Sequence, residues 1–180
     1  MKLRIAGIDP ESVVDGPGIR LVVFTQGCPH RCPGCHNPQT HDPDGGFERD
    51  IDEIQTVIEN AKLIRGVTFS GGEPFLQAKA LAELARWIRA MGFDVVAYTG
   101  YLFEDLLIRS RQQPDIRELL KHTDILIDGP YQAEERDTRL AFRGSRNQRI
   151  VDVPKSLKTG RTILWVDDNL RQFVNLGKQA

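Results

Sequence analysis

Short apolar runs alternate with longer amphipathic segments along this chain of 180 residues. The apolar runs predict buried β-strands at Leu21 to Thr25, Val67 to Phe69, Asp94 to Tyr98 and Ile125 to Ile127. The amphipathic segments predict a helix at about Leu76 to Met91 and weaker helices at Ile51 to Leu63 and Leu102 to Leu120, the last interrupted before Pro114. This alternation is typical of parallel β/α units, and the length suits one compact domain over residues 1–180.

Composition and charge narrow the class of protein. Hydrophobic residues make up 40% and charged residues 27%, which is ordinary for a soluble globular chain. The formal net charge of -1 argues against a general nucleic-acid binder and against attachment to anionic lipid. The first residues lack the apolar core of a signal peptide, and no segment approaches the roughly 20 apolar residues of a membrane span. We therefore expect a cytoplasmic protein without membrane or nucleic-acid partners.

The three cysteines of the chain, Cys28, Cys32 and Cys35, fall in one C-x3-C-x2-C loop. An iron-sulfur cubane normally takes four cysteines, so three would leave one iron without a protein ligand and free to bind a small molecule. A tetrahedral Cys3His zinc site is the alternative, although structural zinc usually takes ligands from two separated pairs. Its fourth ligand would be His30, His36 or His41.

Four loops with unusual residues follow the four predicted strands. They are the cysteine loop, then Ser70 to Pro74, Thr99 to Tyr101 and Asp128 to Tyr131. Because chemistry in α/β folds collects at the C-terminal ends of parallel strands, we expect these loops to face one cavity.

The second of these loops carries two glycines and a carboxylate. It lacks the spacing of a phosphate-binding loop. Gly71 and Gly72 allow backbone to approach a ligand closely, and Glu73 could receive an ammonium group. The alternative is a tight turn in which Glu73 caps the following helix.

Together, the C-x3-C-x2-C loop and Gly71-Gly72-Glu73-Pro74 resemble the radical S-adenosylmethionine superfamily. Three further segments resemble the activating enzymes of glycyl-radical proteins: Asp15 to Arg20, Gly27-Cys28 and Cys35-His36-Asn37. Within that group, Pro33-Gly34, Tyr98 to Tyr101 and Arg143 to Gln148 resemble the activases of anaerobic (class III) ribonucleotide reductase. The resemblance runs from about Ile8 to Ile150. It departs from the superfamily at Gly34, where an aromatic residue often helps to seat adenine.

The resemblance implies a partial, open β/α barrel of the radical S-adenosylmethionine type with parallel strands. It implies that Cys28, Cys32 and Cys35 hold a 4Fe-4S cluster and that S-adenosylmethionine chelates the fourth iron. Reductive cleavage would then give a 5′-deoxyadenosyl radical that takes hydrogen from a glycine of the large subunit of anaerobic ribonucleotide reductase. A flavodoxin or ferredoxin would donate the electron. The cofactor-binding residues would be Gly71, Gly72 and Glu73 for the methionine part, and Thr99 and Asp128 for adenosine or ribose.

Some expectations stay open at this stage. The runner-up function is activation of pyruvate formate-lyase or another glycyl-radical enzyme, and a radical enzyme for a small molecule is a third possibility. Gln132 to Arg149 carries five arginines against three acidic residues, which predicts either a grip on the partner reductase or a solvated loop. Residues after Pro154, including Trp165 and the Asp167-Asp168 pair, are expected to be packing and surface.

Overall fold

One sheet of seven strands organises the computed structural model, which describes residues 1–167. Its spatial order is β3-β1-β2-β4-β5-β6-β7. The strands are β1 (Lys2–Ser12), β2 (Arg20–Thr25), β3 (Phe47–Asp50), β4 (Gly66–Gly71), β5 (Asp94–Tyr98), β6 (Ile125–Asp128) and β7 (Arg149–Asp152). The helices are α1 (Ile51–Asn60), α2 (Ala78–Ala90), α3 (Phe103–Arg109), α4 (Pro114–Lys121) and α5 (Val153–Thr159).

The centre of the sheet is parallel. β2, β4, β5 and β6 run in the same direction, with Leu21 opposite Val67, and Val67 opposite Val95. These strands are almost entirely buried, as expected of parallel strands that are covered on both faces. The four predicted strands are therefore confirmed, each to within one residue at its start and two at its end.

The predicted open α/β fold is confirmed, but the flanks of its sheet are antiparallel. β1 is antiparallel to β2, β3 is antiparallel to β1, and β7 is antiparallel to β6. These strands were missed because they lack a continuous apolar run: β3 is exposed along its length, and β1 alternates irregularly around two register shifts. The sheet of the described residues is mixed and open, since its edges β3 and β7 do not pair with each other.

The helices follow the predicted amphipathic pattern. α2 buries Leu81, Leu84 and Ile88, and Gly92 follows it with a φ of +88° that favours glycine. The predicted interruption before Pro114 is confirmed, because α3 ends at Arg109 and α4 begins at the proline. Among residues 1–167, no helix is long and apolar enough to cross a membrane. Trp165 packs against the smaller apolar cluster, whereas Asp168 lies outside the described residues.

A buried arginine fixes the end of the sheet opposite the four loops. Arg20 has no exposed surface, pairs with Asp94 at 2.6 Å and donates from Nε to Thr68 Oγ1 at 2.6 Å. Burial lowers the pKa of Arg20, while the Asp94 carboxylate raises it. The Thr68 hydroxyl in turn donates to the Asp15 carbonyl at 2.8 Å. This network fixes the segment before β2, which gives much of the Asp15 to Arg20 motif a structural role.

Candidate active site

The four loops after the parallel strands open onto one cavity of about 570 Å³, as predicted. This volume lies in the range of small-molecule sites. Each loop contributes lining residues: Cys28, Cys32 and Cys35 from the first, Gly71 and Gly72 from the second, Thr99 and Gly100 from the third, and Gly129 and Tyr131 from the fourth.

The three cysteines all line this cavity, and their thiols are free and half-buried. Backbone hydrogen bonds shape their loop, from Cys28 N to the His41 carbonyl at 3.2 Å and from Cys35 N to the Cys32 carbonyl at 3.1 Å. Burial raises the pKa of the Cys28 thiol, while backbone N–H groups of His30 and Arg31 lower it. N–H groups that face the sulfur would stabilise the thiolate that binds a metal.

The thiols are the metal-ligating groups of this loop, and His30, His36 and His41 are the further candidates. Within residues 1–167, no three Cys, His, Asp or Glu side chains converge so as to hold a metal ion. The irons of a cubane occupy different corners, so its cysteine ligands need not converge on a single point. The candidate histidines differ in their contacts. His30 contacts Glu73, and the centres of the His36 and Tyr131 rings lie 5.0 Å apart. His41 Nε2 is buried without a hydrogen-bond partner in the described chain.

Glu73 ties three of the loops together. Its side chain is fully buried, and Oε1 accepts from the Phe75 N–H at 3.0 Å while Oε2 accepts from the Gly100 N–H at 2.9 Å. The Thr99 hydroxyl lies 3.0 Å from both oxygens, and His30 Nε2 lies 2.9 Å from Oε2. Glu73 is absent from the cavity lining, so its predicted contact with a ligand ammonium group stays a prediction.

The glycines of this region are also needed for close packing. A Cβ at Gly71, whose φ is +90°, would lie 2.7 Å from the carbonyl oxygen of Thr25 at the end of β2. A Cβ at Gly72 would overlap the Gly27 carbonyl, and one at Gly100 would overlap the His30 ring. Gly71 and Gly72 line the cavity and therefore remain open to a ligand, but these close contacts would require glycine at both positions even without a ligand.

The two remaining predicted residues differ in position. Thr99 lines the cavity, although its hydroxyl is engaged with Glu73. Asp128 is fully buried and lies outside the lining. Its Oδ2 accepts from the Phe103 N–H at 2.8 Å at the start of α3, and its Oδ1 accepts from Arg149 Nε at 3.0 Å. Contact between Asp128 and ribose stays a prediction, while the contacts present are those of a structural residue.

We call residues 129–148, which connect β6 to β7, the flap. Its ends are stapled by the Asp128–Arg149 ion pair, whose members face each other in the β6–β7 register. The Tyr98 hydroxyl donates to the Phe142 carbonyl at 2.8 Å and holds the middle of the flap over the cavity. Burial raises the pKa of Tyr98, so its hydroxyl remains a proton donor.

The arginines of residues 132–149 differ in their surroundings. Arg136, Arg139 and Arg146 are exposed, and the last two pair with Asp137, whose pKa they lower. Arg149, which follows the flap, pairs with Asp128 and Glu104, whereas Arg143 lines the cavity. These contacts do not test the predicted grip on a partner, which stays a prediction.

Sequence reasoning missed several residues that build the site. His30 was considered only as a zinc ligand, yet its place between two cysteines and against Gly100 makes it the link to Glu73. Val13 and Val14 line the cavity although both are about two-thirds exposed. Tyr131 packs next to Gly34: a Cβ at this glycine would lie 3.5 Å from the tyrosine ring. An aromatic side chain from a distant segment therefore lies beside the position where the cysteine loop itself has glycine. Nothing in the local pattern marks such contacts between distant segments.

Comparison with known proteins agrees with this geometry. Residues 14–151 match a family model described as a 4Fe-4S single cluster domain. The chain is 34% identical to the anaerobic ribonucleoside-triphosphate reductase-activating protein of Enterobacteria phage T4, over 79% of this chain and 90% of that protein. It is 33% identical to the protein of that name from Escherichia coli (strain K12), over 77% and 92%. It is 38% identical to the pyruvate formate-lyase-activating enzyme of Clostridium pasteurianum, over 97% and 76%.

Proposed function

The chain belongs to the 4Fe-4S family of activating proteins for glycyl-radical enzymes, and from this premise we propose that it activates an anaerobic ribonucleoside-triphosphate reductase. The observation that carries the proposal is that three free cysteines of one loop line the cavity at the C-terminal ends of the parallel strands. Membership of the family favours a 4Fe-4S cluster over the zinc alternative. We also propose that the open sheet is the partial barrel of the radical S-adenosylmethionine type.

When bound, the cluster supplies the electron that cleaves S-adenosylmethionine to methionine and a 5′-deoxyadenosyl radical, which takes hydrogen from a glycine of the partner. The protein contributes ligands, orientation and shelter from water. Cys28, Cys32 and Cys35 would hold three irons, leaving the fourth to S-adenosylmethionine. A cavity that is closed on one side by the flap would keep a reactive radical from solvent.

In this proposal, the other three loops orient S-adenosylmethionine. The backbone of Gly71 and Gly72, which lines the cavity, would take the methionine part. Glu73 would act indirectly, because its carboxylate holds Gly100 and His30 in place next to those glycines. Thr99 lies on the lining and would contact adenosine, while Asp128 would act through the flap that it staples.

The partner in this proposal is the large subunit of the anaerobic reductase, and the electron donor is a flavodoxin or ferredoxin. Glycine suits the reaction because it has no side chain to hinder approach and its backbone can be drawn into a cavity. We place the reaction in the cytoplasm, where free thiols stay reduced and available to iron.

A second candidate function is activation of pyruvate formate-lyase. It is favoured by the 38% identity to such an activating enzyme over 97% of this chain, a longer match than those to the reductase-activating proteins. Both functions use the same cavity and the same cleavage of S-adenosylmethionine. They differ only in the protein that offers the glycine, so only presentation of each partner separates them.

Anaerobic reconstitution with iron and sulfide tests the shared chemistry. With S-adenosylmethionine and a reductant, the wild-type protein should produce methionine and 5′-deoxyadenosine. A Cys32→Ala variant should lose iron and form neither product, because it lacks a ligand of the cluster. Undiminished cleavage by that variant would contradict the proposed site.

A further inference from the structure

A chain of ring contacts leads outwards from the cysteine loop. The His30 ring, which lies between Cys28 and Cys32 in sequence, meets the Tyr101 ring edge to face, with 4.5 Å between the ring centres and 70° between the planes. Arg109, the last residue of α3, lies over the Tyr101 ring with its guanidinium carbon 4.2 Å from the ring centre. Both geometries are favourable, so the three side chains form a stack that exists before any partner arrives.

This stack ends on a surface that is separate from the cavity. His30 lines the cavity, whereas Tyr101 and Arg109 do not. Arg109 is exposed, and so are Pro29 and Arg31, which flank His30 in the cysteine loop and are also off the lining. We call Pro29, Arg31, Tyr101 and Arg109 the outer face. It gives access to the cysteine loop without passing through the cavity.

The outer face carries positive charge that the protein itself does not neutralise. Neither Arg31 nor Arg109 forms an ion pair within residues 1–167. Asp105 lies four residues before Arg109 on α3 without pairing with it, so two arginines stand against one carboxylate. Unpaired surface cations attract a negatively charged partner over about one screening length, which is about 8–10 Å at ordinary ionic strength.

The proposed function requires access to the cluster from two sides. S-adenosylmethionine and the glycine of the partner would fill the cavity. While the cavity is occupied, an electron can be delivered only from another side. Because electron transfer slows steeply with distance, its donor must dock close to the cysteine loop. The outer face meets this requirement, since it is exposed and contacts that loop through the His30 and Tyr101 rings.

We propose that the outer face is the docking site of the electron donor, and that this donor is a small electron-transfer protein with an acidic surface around its redox centre. The inference rests on the proposed function, which requires such a donor. In the step concerned, the reduced donor loses one electron and the cluster gains it, with no atom passing between the two proteins. Transient redox complexes use small interfaces, below about 1,200 Å² in total, and depend on charge for rapid encounter.

The test compares protein donors with a small reductant. Reconstituted wild type and Arg109→Glu are titrated anaerobically with an acidic flavodoxin, and with an acidic ferredoxin in a parallel series, to obtain dissociation constants. Cleavage of S-adenosylmethionine is then measured with each reduced donor below its dissociation constant, and with dithionite, which needs no docking site. Arg109→Glu should weaken donor binding about tenfold at low ionic strength and slow donor-driven cleavage by a similar factor. Dithionite-driven cleavage should be unchanged.

Two further variants make the result specific to the outer face. Arg31→Glu should also weaken donor binding, and its cleavage rate with dithionite reports whether it retains the cluster. Arg86→Glu makes the same change in net charge at an exposed position of α2, towards the end of that helix that leads into the start of β5. That position lies at the opposite end of the sheet from the cysteine loop, so donor binding should be unchanged.

Salt provides an independent check on the electrostatic origin of the effect. At about 1 M salt the screening length falls to about 3 Å, so the difference between wild type and Arg109→Glu should largely disappear. A difference that persists at this ionic strength would contradict docking by charge.

Unchanged donor binding in Arg109→Glu, equal weakening by Arg86→Glu, or no binding of either donor to the wild type would overturn the inference. An equal loss of cleavage with dithionite would make Arg109 a support of the cluster loop and would overturn it too. Failure of the proposed function looks different, because the wild type would then not cleave S-adenosylmethionine even with dithionite.

Discussion

Replacing Glu73 with glutamine tests whether this buried carboxylate is a structural link between loops. The two carboxylate oxygens accept from two backbone N–H groups, those of Phe75 and Gly100, besides Thr99 and His30. An amide has only one oxygen, so in either orientation its NH2 group faces one of the two backbone donors. The His30 ring can adapt by changing tautomer, but a backbone N–H cannot.

The expected cost follows from that count. Leaving one buried N–H without an acceptor costs about 1–3 kcal/mol in the free energy of unfolding. With a urea dependence of about 2 kcal/mol per molar, the unfolding midpoint should fall by about 0.5–1.5 M. The assay is urea unfolding of the reduced, cluster-free chain, followed by circular dichroism. The matched control is Glu53→Gln, an exposed residue paired with Arg49, which should change stability by less than about 0.5 kcal/mol.

A Glu73→Gln variant with wild-type stability would show that the Glu73 carboxylate is not a structural link between the loops. If such a variant instead lost affinity for S-adenosylmethionine, Glu73 would be the partner of the ligand ammonium group, as the sequence alone suggests. Loss of stability with little change in affinity would support the structural role.

The remaining predictions concern the flap and its base. Tyr98→Phe removes the hydrogen bond to the Phe142 carbonyl and should lower the free energy of unfolding by about 0.5–1.5 kcal/mol. Limited proteolysis between residues 131 and 148 should become faster. Unchanged cleavage would show that this hydrogen bond does not hold the flap. Hydrogen bonds from Arg149, and a further one from Thr162, lower the pKa of Glu104 to about 2. The ionised carboxylate therefore stabilises the fold above about pH 4.5, and this stabilisation is lost as the pH falls towards 2. Because the Glu104 side chain is about half exposed, the loss should be below about 1 kcal/mol. Glu104→Gln should remove this part of the pH dependence. An identical acid dependence of unfolding in the wild type and the variant would contradict the assignment.

The parallel centre of the fold could be predicted because its signal is local. Each central strand is a short apolar run followed by a loop of distinctive residues, and α2 carries a clear apolar face. The flanking strands could not be predicted in this way. β3 is exposed on both faces and is a strand only because the edge of β1 offers it hydrogen bonds. Such pairing depends on tertiary context and leaves no periodicity in the sequence.

The site divides along the same line. The cysteines and the glycines of the second loop line the cavity, as residue type and spacing predict. Glu73 and Asp128 were expected to face a ligand, yet their contacts here are to backbone and to His30 and Arg149. The sequence does not distinguish a carboxylate at a strand end that faces the cavity from one that faces the protein interior. Its orientation is decided by hydrogen-bond partners on distant segments.

The electron paramagnetic resonance spectrum of the partner after activation distinguishes the two candidate functions. The reconstituted protein is combined under anaerobic conditions with S-adenosylmethionine, a reductant and the anaerobic ribonucleotide reductase, with pyruvate formate-lyase in a parallel sample. We expect a glycyl-radical signal on the reductase alone. A signal on the lyase alone would establish the second candidate function, and 5′-deoxyadenosine without a radical on either protein would contradict activation of both enzymes.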